Sequence, residues 1–96
     1  MVDKPELRRL SETHRIAREL NERTRDAEKP NRSDERVRFL CECGNDGCAE
    51  TIALSLDEFE AIRWRERVYV VRPGHENPDA ELVVDENECF VLVETP

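Results

Sequence analysis

The stretch RVRFLCECGNDGCAETIALS, residues 36–55, places three cysteines between two segments that alternate apolar and polar side chains. Such alternation predicts two β-strands, "RVRFLCE" and "ETIALS", joined by a loop that carries the cysteines. The loop contains GNDG, a composition typical of turns. In a regular strand Cys41 and Cys43 point to the same side and Glu42 to the opposite side. Both thiols can therefore bind one ion where the first strand ends.

Three thiols at this spacing indicate a zinc site. Structural zinc is bound by four ligands at tetrahedral corners, and thiolates and imidazoles are its usual ligands. Cys41, Cys43 and Cys48 supply three of them. The spacing differs from the ordinary C-x-x-C knuckle, so the pattern is less specific than a pair of such knuckles. A reduced cluster of partly buried thiols and a Cys43–Cys48 disulfide are the alternatives.

The fourth ligand must come from another part of the chain, and the candidates are His14, His75 and Cys89. His75 is favoured because it follows a strand and the Pro-Gly turn at 73–74, which would hold its side chain in a fixed place. Cys89 is predicted to be a small core residue, since it alternates with valines in a terminal strand. His14 lies on a charged helix that a linker separates from the cysteine loop.

Residues 6–28 are predicted to form that N-terminal helix. They contain no Gly or Pro, and Glu and Arg recur at helical spacing, as in Arg15 and Glu19. Since a helix of this kind is marginal alone in water, we expect it to dock on another surface, a solvated arm being the alternative. Its apolar stripe is weak and consists of Leu10, Thr13, Ala17, Leu20, Thr24 and Ala27, widened by Ile16.

The remaining sequence predicts a short helix and three further strands. Ser55 and Glu58 have the spacing of a capping box, which would begin a helix that buries Leu56, Phe59 and Ile62. "RVYVV" predicts a third strand, and "AELVV" and "ECFVLVE" predict a C-terminal β-hairpin with "DEN" as its turn. The predicted fold class is therefore α+β.

We expect a charged helical arm at residues 1–30, a linker at residues 31–36 and a β-rich, zinc-ribbon-like domain at residues 37–96. Of the 96 residues, 38% are hydrophobic and 40% are charged. The core must therefore be thin, and small cores usually need disulfides or a metal for stability. This composition favours the zinc interpretation.

The net charge of −8 is distributed unevenly. Residues 1–40 carry eleven Lys and Arg and nine Asp and Glu, whereas residues 41–96 carry four and fourteen. The acidic C-terminal part repels the phosphate backbone of nucleic acids, which argues against nucleic-acid binding. The asymmetry suits a protein partner or self-association of unlike surfaces.

The sequence predicts a cytoplasmic protein. No apolar run is long enough to span a membrane, and residues 1–20 have no signal-peptide pattern. Thiols stay reduced in the cytosol, where clustered cysteines indicate a metal site or redox chemistry rather than a structural disulfide.

No catalytic pattern is found in the sequence. "GHENP" followed by the single Cys89 does not match the zinc pattern of the deaminases, and nucleophile elbows and phosphate loops are absent. A Cys3His site leaves no open position for the water that catalytic zinc requires, so we do not expect an enzyme. "RWRER", residues 63–67, sets an aromatic side chain among arginines, as in base-stacking surfaces. Trp64 is more simply expected to pack beside the short helix.

The segments FLCECGNDGCAETIALSLDEFEAIR and VYVVRPGHENPDAE resemble a group of small uncharacterised bacterial proteins. Those proteins share C-x-C-G-x-x-x-C, a strand, a helix similar to LTLxEYExVR and then VxPGHExP, and RELNERTRD is similar to their N-terminal segment. The resemblance covers most of residues 14–94. It offers no counterpart for Cys89 and implies no activity, and the metal ligands that it implies are Cys41, Cys43, Cys48 and His75.

The sequence thus predicts a non-catalytic protein in which Zn²⁺ stabilises the fold. It would act as an adaptor or regulatory interaction module that binds an unidentified protein partner through the N-terminal helix. No association with a membrane is expected, and the sequence does not decide whether the chain self-associates. The main alternative is a redox or zinc sensor whose thiolates carry the signal. A nucleic-acid-binding regulator, the second alternative, would need the N-terminal helix and Arg63–Arg67 to share one face.

Overall fold

Two antiparallel sheets and two helices form the part of the chain that the structure, a computed structural model, describes: residues 4–28, 35–45 and 47–96. The predicted α+β class is confirmed, whereas a zinc-ribbon-like character rests only on the hairpin that carries the cysteine loop. Neither of these helices combines the length and hydropathy that a membrane span requires. The elements are α1 (Lys4–Ala27), β1 (Arg36–Leu40), β2 (Thr51–Ser55), α2 (Leu56–Arg63), β3 (Val68–Val71), β4 (Leu82–Glu86) and β5 (Val91–Glu94).

The first sheet is the hairpin of β1 and β2, in which Phe39 lies opposite Ile52. Both residues are buried together with Val37 and Leu54, while the arginines of β1 are exposed. Phe39 stacks on Phe59 of α2 with ring centroids 4.5 Å apart and planes 7° apart. The predicted alternation of β1 is therefore confirmed, and it fixes which side of the hairpin faces the core.

Helix α2 begins with the predicted capping box. Ser55 Oγ accepts a hydrogen bond from the Glu58 N–H at 3.1 Å, and Glu58 Oε1 accepts one from the Ser55 N–H at 2.9 Å. Phe59 and Ile62 are buried as predicted, whereas Leu56 is only partly buried. Trp64 is 79% exposed, so the expectation that it packs beside this helix is wrong. Because it follows Ile62 by two positions at about 100° per residue, it points away from the core.

The second sheet has the strand order β3-β5-β4. The predicted C-terminal hairpin is confirmed, but its turn begins at Asn87 rather than Asp85. The Asn87 side-chain oxygen accepts hydrogen bonds from the N–H groups of Cys89 at 2.8 Å and Phe90 at 2.9 Å. Cys89 consequently lies in this turn with its side chain exposed. The prediction of Cys89 as a core residue is wrong.

Helix α1 docks on the rest of the chain through a polar face. His14 and Asn21 are 1% and 0% exposed, whereas Ile16 and Leu20 are 59% and 42% exposed. The apolar stripe is therefore not the most buried face of α1: Thr13 and Ala17 are half-buried, and Leu20 is exposed. The surface that α1 meets offers carboxylates and backbone groups, which polar and charged side chains of the helix bind.

Parts of the predicted arm and linker fall where the structure gives no description. Of the linker predicted at residues 31–36, residues 31–34 lie outside the described residues, and Arg36 already belongs to β1. Leu10 of the predicted stripe lies within α1, in the part whose side chains are not described.

Candidate metal centre

The four predicted ligands lie together, with one ligand atom from each side chain within 4.8 Å of all the others. His75 Nδ1 is 3.5 Å from Cys41 Sγ and 3.6 Å from Cys48 Sγ. Zinc bonds of about 2.3 Å to sulfur and about 2.0 Å to nitrogen, at tetrahedral angles, would place such atoms about 3.6 Å apart. The cluster, completed by Cys43, is thus a candidate metal site whose sulfur–nitrogen distances fit one zinc ion.

Two of the ligands come from the segment that directly follows β1. The Cys41 N–H donates to the Glu50 carbonyl at 2.9 Å, which continues the β1–β2 pairing by one residue. The Glu42 N–H donates to the Val70 carbonyl of β3 at 2.8 Å. Cys41 and Cys43 face the cluster, and Glu42 between them turns toward α1, as the alternation predicts. The segment is therefore held by both sheets.

A turn returns the chain to the cluster at Cys48. The Asn45 carbonyl accepts a hydrogen bond from the Cys48 N–H, and the Asn45 side-chain oxygen accepts one from the Gly47 N–H, both at 3.0 Å. Asp46 lies outside the described residues. Asn45 thus closes the turn that brings the third thiol to the site.

His75 reaches the cluster from the second sheet. It follows β3 and the Pro73-Gly74 turn, and Gly74 adopts a φ of 91°, which side chains disfavour. The His75 N–H donates to the Arg72 carbonyl at 2.9 Å, and the Gly74 N–H donates to Glu76 Oε1 at 2.6 Å. These hydrogen bonds hold the turn that presents the imidazole.

The thiols after β1 are buried, and burial controls their protonation. Burial raises the pKa of the Cys41 thiol to about 12, against the opposing effect of the Arg72 N–H, which donates to its Sγ at 3.2 Å. Burial also raises the pKa of Cys43. Without a metal, these thiols keep their protons at neutral pH. A cation would have to displace those protons, so metal binding would release them.

The other two candidates for the fourth ligand lie elsewhere. Cys89 is in the exposed turn between β4 and β5, and His14 lies on the buried face of α1, where its Nε2 is hydrogen-bonded to Glu81 Oε2. The four cysteines of the chain are free thiols, so the structure contains no Cys43–Cys48 disulfide. Of the three candidates, His75 is the one that the structure brings to the thiols.

The sequence analysis missed the role of Glu42. Its side chain is fully buried and accepts hydrogen bonds from Arg18 Nε at 2.7 Å, Arg18 Nη2 at 2.8 Å, Asn21 Nδ2 at 2.9 Å and the Val70 N–H at 3.0 Å. A signal was available: a carboxylate between two ligands of a buried strand end must face away from them and needs a cationic partner there. Arg18 of α1 supplies that partner.

A second buried polar pair, His14 and Glu81, was also missed. The His14 ring packs edge-on against Tyr69, with centroids 4.8 Å apart. Burial, with a smaller effect of the nearby Arg18 guanidinium, lowers the pKa of His14 to about 4, and burial raises the pKa of Glu81. The pair joins α1 to the segment before β4.

Comparisons of the whole chain with protein families, curated proteins and solved structures give no match.

Proposed function

We propose that this chain is a zinc-binding protein in which one Zn²⁺ stabilises the fold. The observation that carries the proposal is the convergence of three thiols and one imidazole from three separate segments, with ligand atoms within 4.8 Å of one another. Soft sulfur ligands with one imidazole at tetrahedral spacing favour zinc over magnesium or calcium, which take oxygen ligands.

A structural role for the ion follows from the origin of its ligands. Cys41, Cys43 and Cys48 belong to the β1–β2 hairpin and its loop, whereas His75 follows β3 in the other sheet. An ion bound to all four would link the two sheets covalently through metal–ligand bonds. Four protein ligands fill a tetrahedral site and leave no position for a reacting water, which supports a non-catalytic role.

An interaction role is the second part of the proposal. Ile16 and Leu20 are exposed on α1, and Trp64 is exposed after α2, although large apolar side chains usually lie in cores. Such residues are frequent contact points in protein–protein interfaces. We propose a cytoplasmic adaptor or regulatory module that binds a protein partner through these residues of α1. The resemblance to small bacterial proteins with the same cysteine pattern remains a prediction.

The alternatives receive less support from the described residues. A thiol sensor needs thiols that an oxidant can reach, but Cys41 and Cys43 are buried and Cys48 is half-buried. A nucleic-acid-binding surface needs an excess of cations, but Arg63 is paired with Glu60 at 3.4 Å and with Glu22 at 3.6 Å, and residues 41–96 carry four Lys and Arg against fourteen Asp and Glu.

Elemental analysis of the full-length protein, purified without added metal, tests the proposal. We expect one zinc per chain, loss of zinc in Cys48→Ser, and an unchanged zinc content in the matched control Cys89→Ser. A well-folded protein that contains no zinc and takes up none would refute it. Partner binding is tested separately, by capture from lysate with wild type and with an Ile16→Glu, Leu20→Glu variant.

A further inference from the structure

Glu42 connects the candidate metal centre to helix α1. It stands between two of the ligands, Cys41 and Cys43, and its buried carboxylate accepts both hydrogen bonds of a bidentate arginine, Arg18. Buried carboxylates are strongly disfavoured without such a partner. The position of Arg18 therefore limits where Glu42 can lie, and with it the backbone that carries both thiols.

Asn21 binds the same segment at Leu40, the residue before Cys41. Its side-chain oxygen accepts a hydrogen bond from the Leu40 N–H at 2.7 Å, and its amide donates to the Leu40 carbonyl at 3.0 Å and to Glu42 Oε2 at 2.9 Å. The amide thus binds the edge of β1 as a neighbouring strand would. Helix α1 consequently binds the residues on both sides of Cys41, Leu40 through its backbone and Glu42 through its carboxylate.

The dependence also runs in the opposite direction. Because Ile16 and Leu20 are exposed, burial of these apolar side chains adds little to the stability of the docked α1. A charged helix of this kind is marginal alone in water. Its contacts with the rest of the chain include the Glu42 network, the pair of His14 with Glu81 and a partly exposed pair of Arg25 with Glu60. Docking of α1 therefore relies on Glu42 being held in place.

We infer that Arg18 and Asn21 are positioning residues of the zinc site, acting through Glu42 and Leu40, so that docking of α1 and binding of zinc strengthen each other. The inference rests on the proposed zinc site and adds its regulation. By thermodynamic linkage, whatever factor docking adds to zinc affinity, zinc adds to docking. A partner that pulls α1 away would therefore weaken zinc binding, and loss of zinc would release α1 for a partner.

The first test measures zinc affinity in full-length variants by competition with a chromophoric chelator. Arg18→Gln should bind zinc about tenfold to 100-fold more weakly, as found when residues that orient metal ligands are changed. Arg18→Lys keeps the charge but not the paired hydrogen bonds and should be intermediate. Arg23→Gln removes the same charge from an exposed position of α1 and should stay within about twofold of wild type. Equal affinities for Arg18→Gln and Arg23→Gln would overturn the inference.

If Arg18→Gln does not fold, Asn21→Ala tests the same inference, because this variant leaves the Arg18–Glu42 pair intact. It should weaken zinc binding in the same direction. The second test compares hydrogen exchange with and without zinc in wild type and in Asn21→Ala: exchange in residues 12–28 should rise about tenfold or more on zinc removal in wild type, and by less in Asn21→Ala. Unchanged exchange in α1 of wild type, or an equal rise in the two proteins, would overturn the coupling while leaving the zinc site standing. A wild type that binds no zinc would instead refute the proposed function.

Discussion

The imidazole of His75 lies 3.5 Å from the thiol of Cys41, although 34 positions separate the two residues in the sequence. Cys41 follows β1 of the first sheet, and His75 follows β3 of the second. Other links between the two sheets are the Glu42–Val70 hydrogen bonds, those from Arg72 to Cys41 Sγ and to the Thr51 carbonyl, and the packing of buried side chains. Loss of the imidazole should therefore affect the whole fold.

We predict that His75→Ala loses zinc and is strongly destabilised, by roughly 4 kcal/mol, because loss of a metal is among the few mechanisms with effects of that size. Cys89→Ala is the control: its side chain is exposed, so its free energy of unfolding should change by no more than about 0.5 kcal/mol. Urea unfolding of both variants, with zinc content measured in parallel, checks this. Loss of zinc in Cys89→Ala with retention in His75→Ala would contradict the assignment of ligands.

A second prediction concerns the turn that presents His75. Gly74→Ala should destabilise the protein by about 1–2 kcal/mol, since its φ of 91° is unfavourable for a residue with a Cβ even though no atom lies within 4 Å of that Cβ. Zinc affinity should fall as well, because the turn sets the position of the imidazole.

Gly47→Ala is the matched control in the cysteine loop. There a Cβ would meet Asn45 Oδ1 at 3.7 Å, an ordinary contact distance, and φ is not in the positive range. Thermal unfolding of the two zinc-bound variants should therefore separate them. Equal melting temperatures would show that the conformation of Gly74 does not limit the site.

The sequence was sufficient to predict the parts of the fold that depend on local pattern. The alternation in β1 and β2, the Ser55–Glu58 capping box and the Pro73-Gly74 turn each specify a short segment, and the structure contains all three. The prediction that His75 lies with the thiols also used a local pattern, because a rigid turn after a strand constrains the position of the side chain that follows it. These signals act within a few residues of one another.

The docking face of α1 could not be predicted from its own pattern. The apolar stripe includes Leu20, but the helix docks through Arg18 and Asn21. These two residues bind Glu42 and the edge of β1, which the pattern of the helix itself does not reveal. That choice depends on a pairing between distant segments. Cys89 was misplaced for a related reason: Asn87 closes the turn with its side chain, which moves Cys89 out of the strand.

A third prediction uses the titration of His14, whose ring faces Glu81, Tyr69 and Arg18. Its pKa of about 4 in the folded state lies below the ordinary 6.5. Between these values the unfolded chain binds a proton that the folded chain does not, so this residue's contribution to stability is lost as pH falls from 6.5 toward 4. Glu81, with its pKa raised, has the opposite sign: its contribution is lost as pH rises above its ordinary range.

NMR of the histidine rings checks the titration of His14 directly. The chain contains two histidines, so the signal that disappears in His14→Gln identifies it. In the zinc-bound protein that signal should stay constant from pH 8 to about pH 5. A midpoint near 6.5 would show that the ring is not buried as described.

The last prediction separates a structural zinc site from a thiol sensor, using Cys89 as an internal reference. Cys89 is exposed, whereas Cys41 and Cys43 are buried, and the loop from Cys41 to Glu50 contains no Lys or Arg to activate a thiol. In zinc-bound protein treated with mild peroxide, mass spectrometry should therefore find oxidation at Cys89 first, with zinc retained. A Cys89→Ser variant should keep its zinc and show little oxidation under the same conditions. Prompt, reversible zinc release from that variant would favour the sensor, because the ligand thiolates would then be the sites that the oxidant reaches.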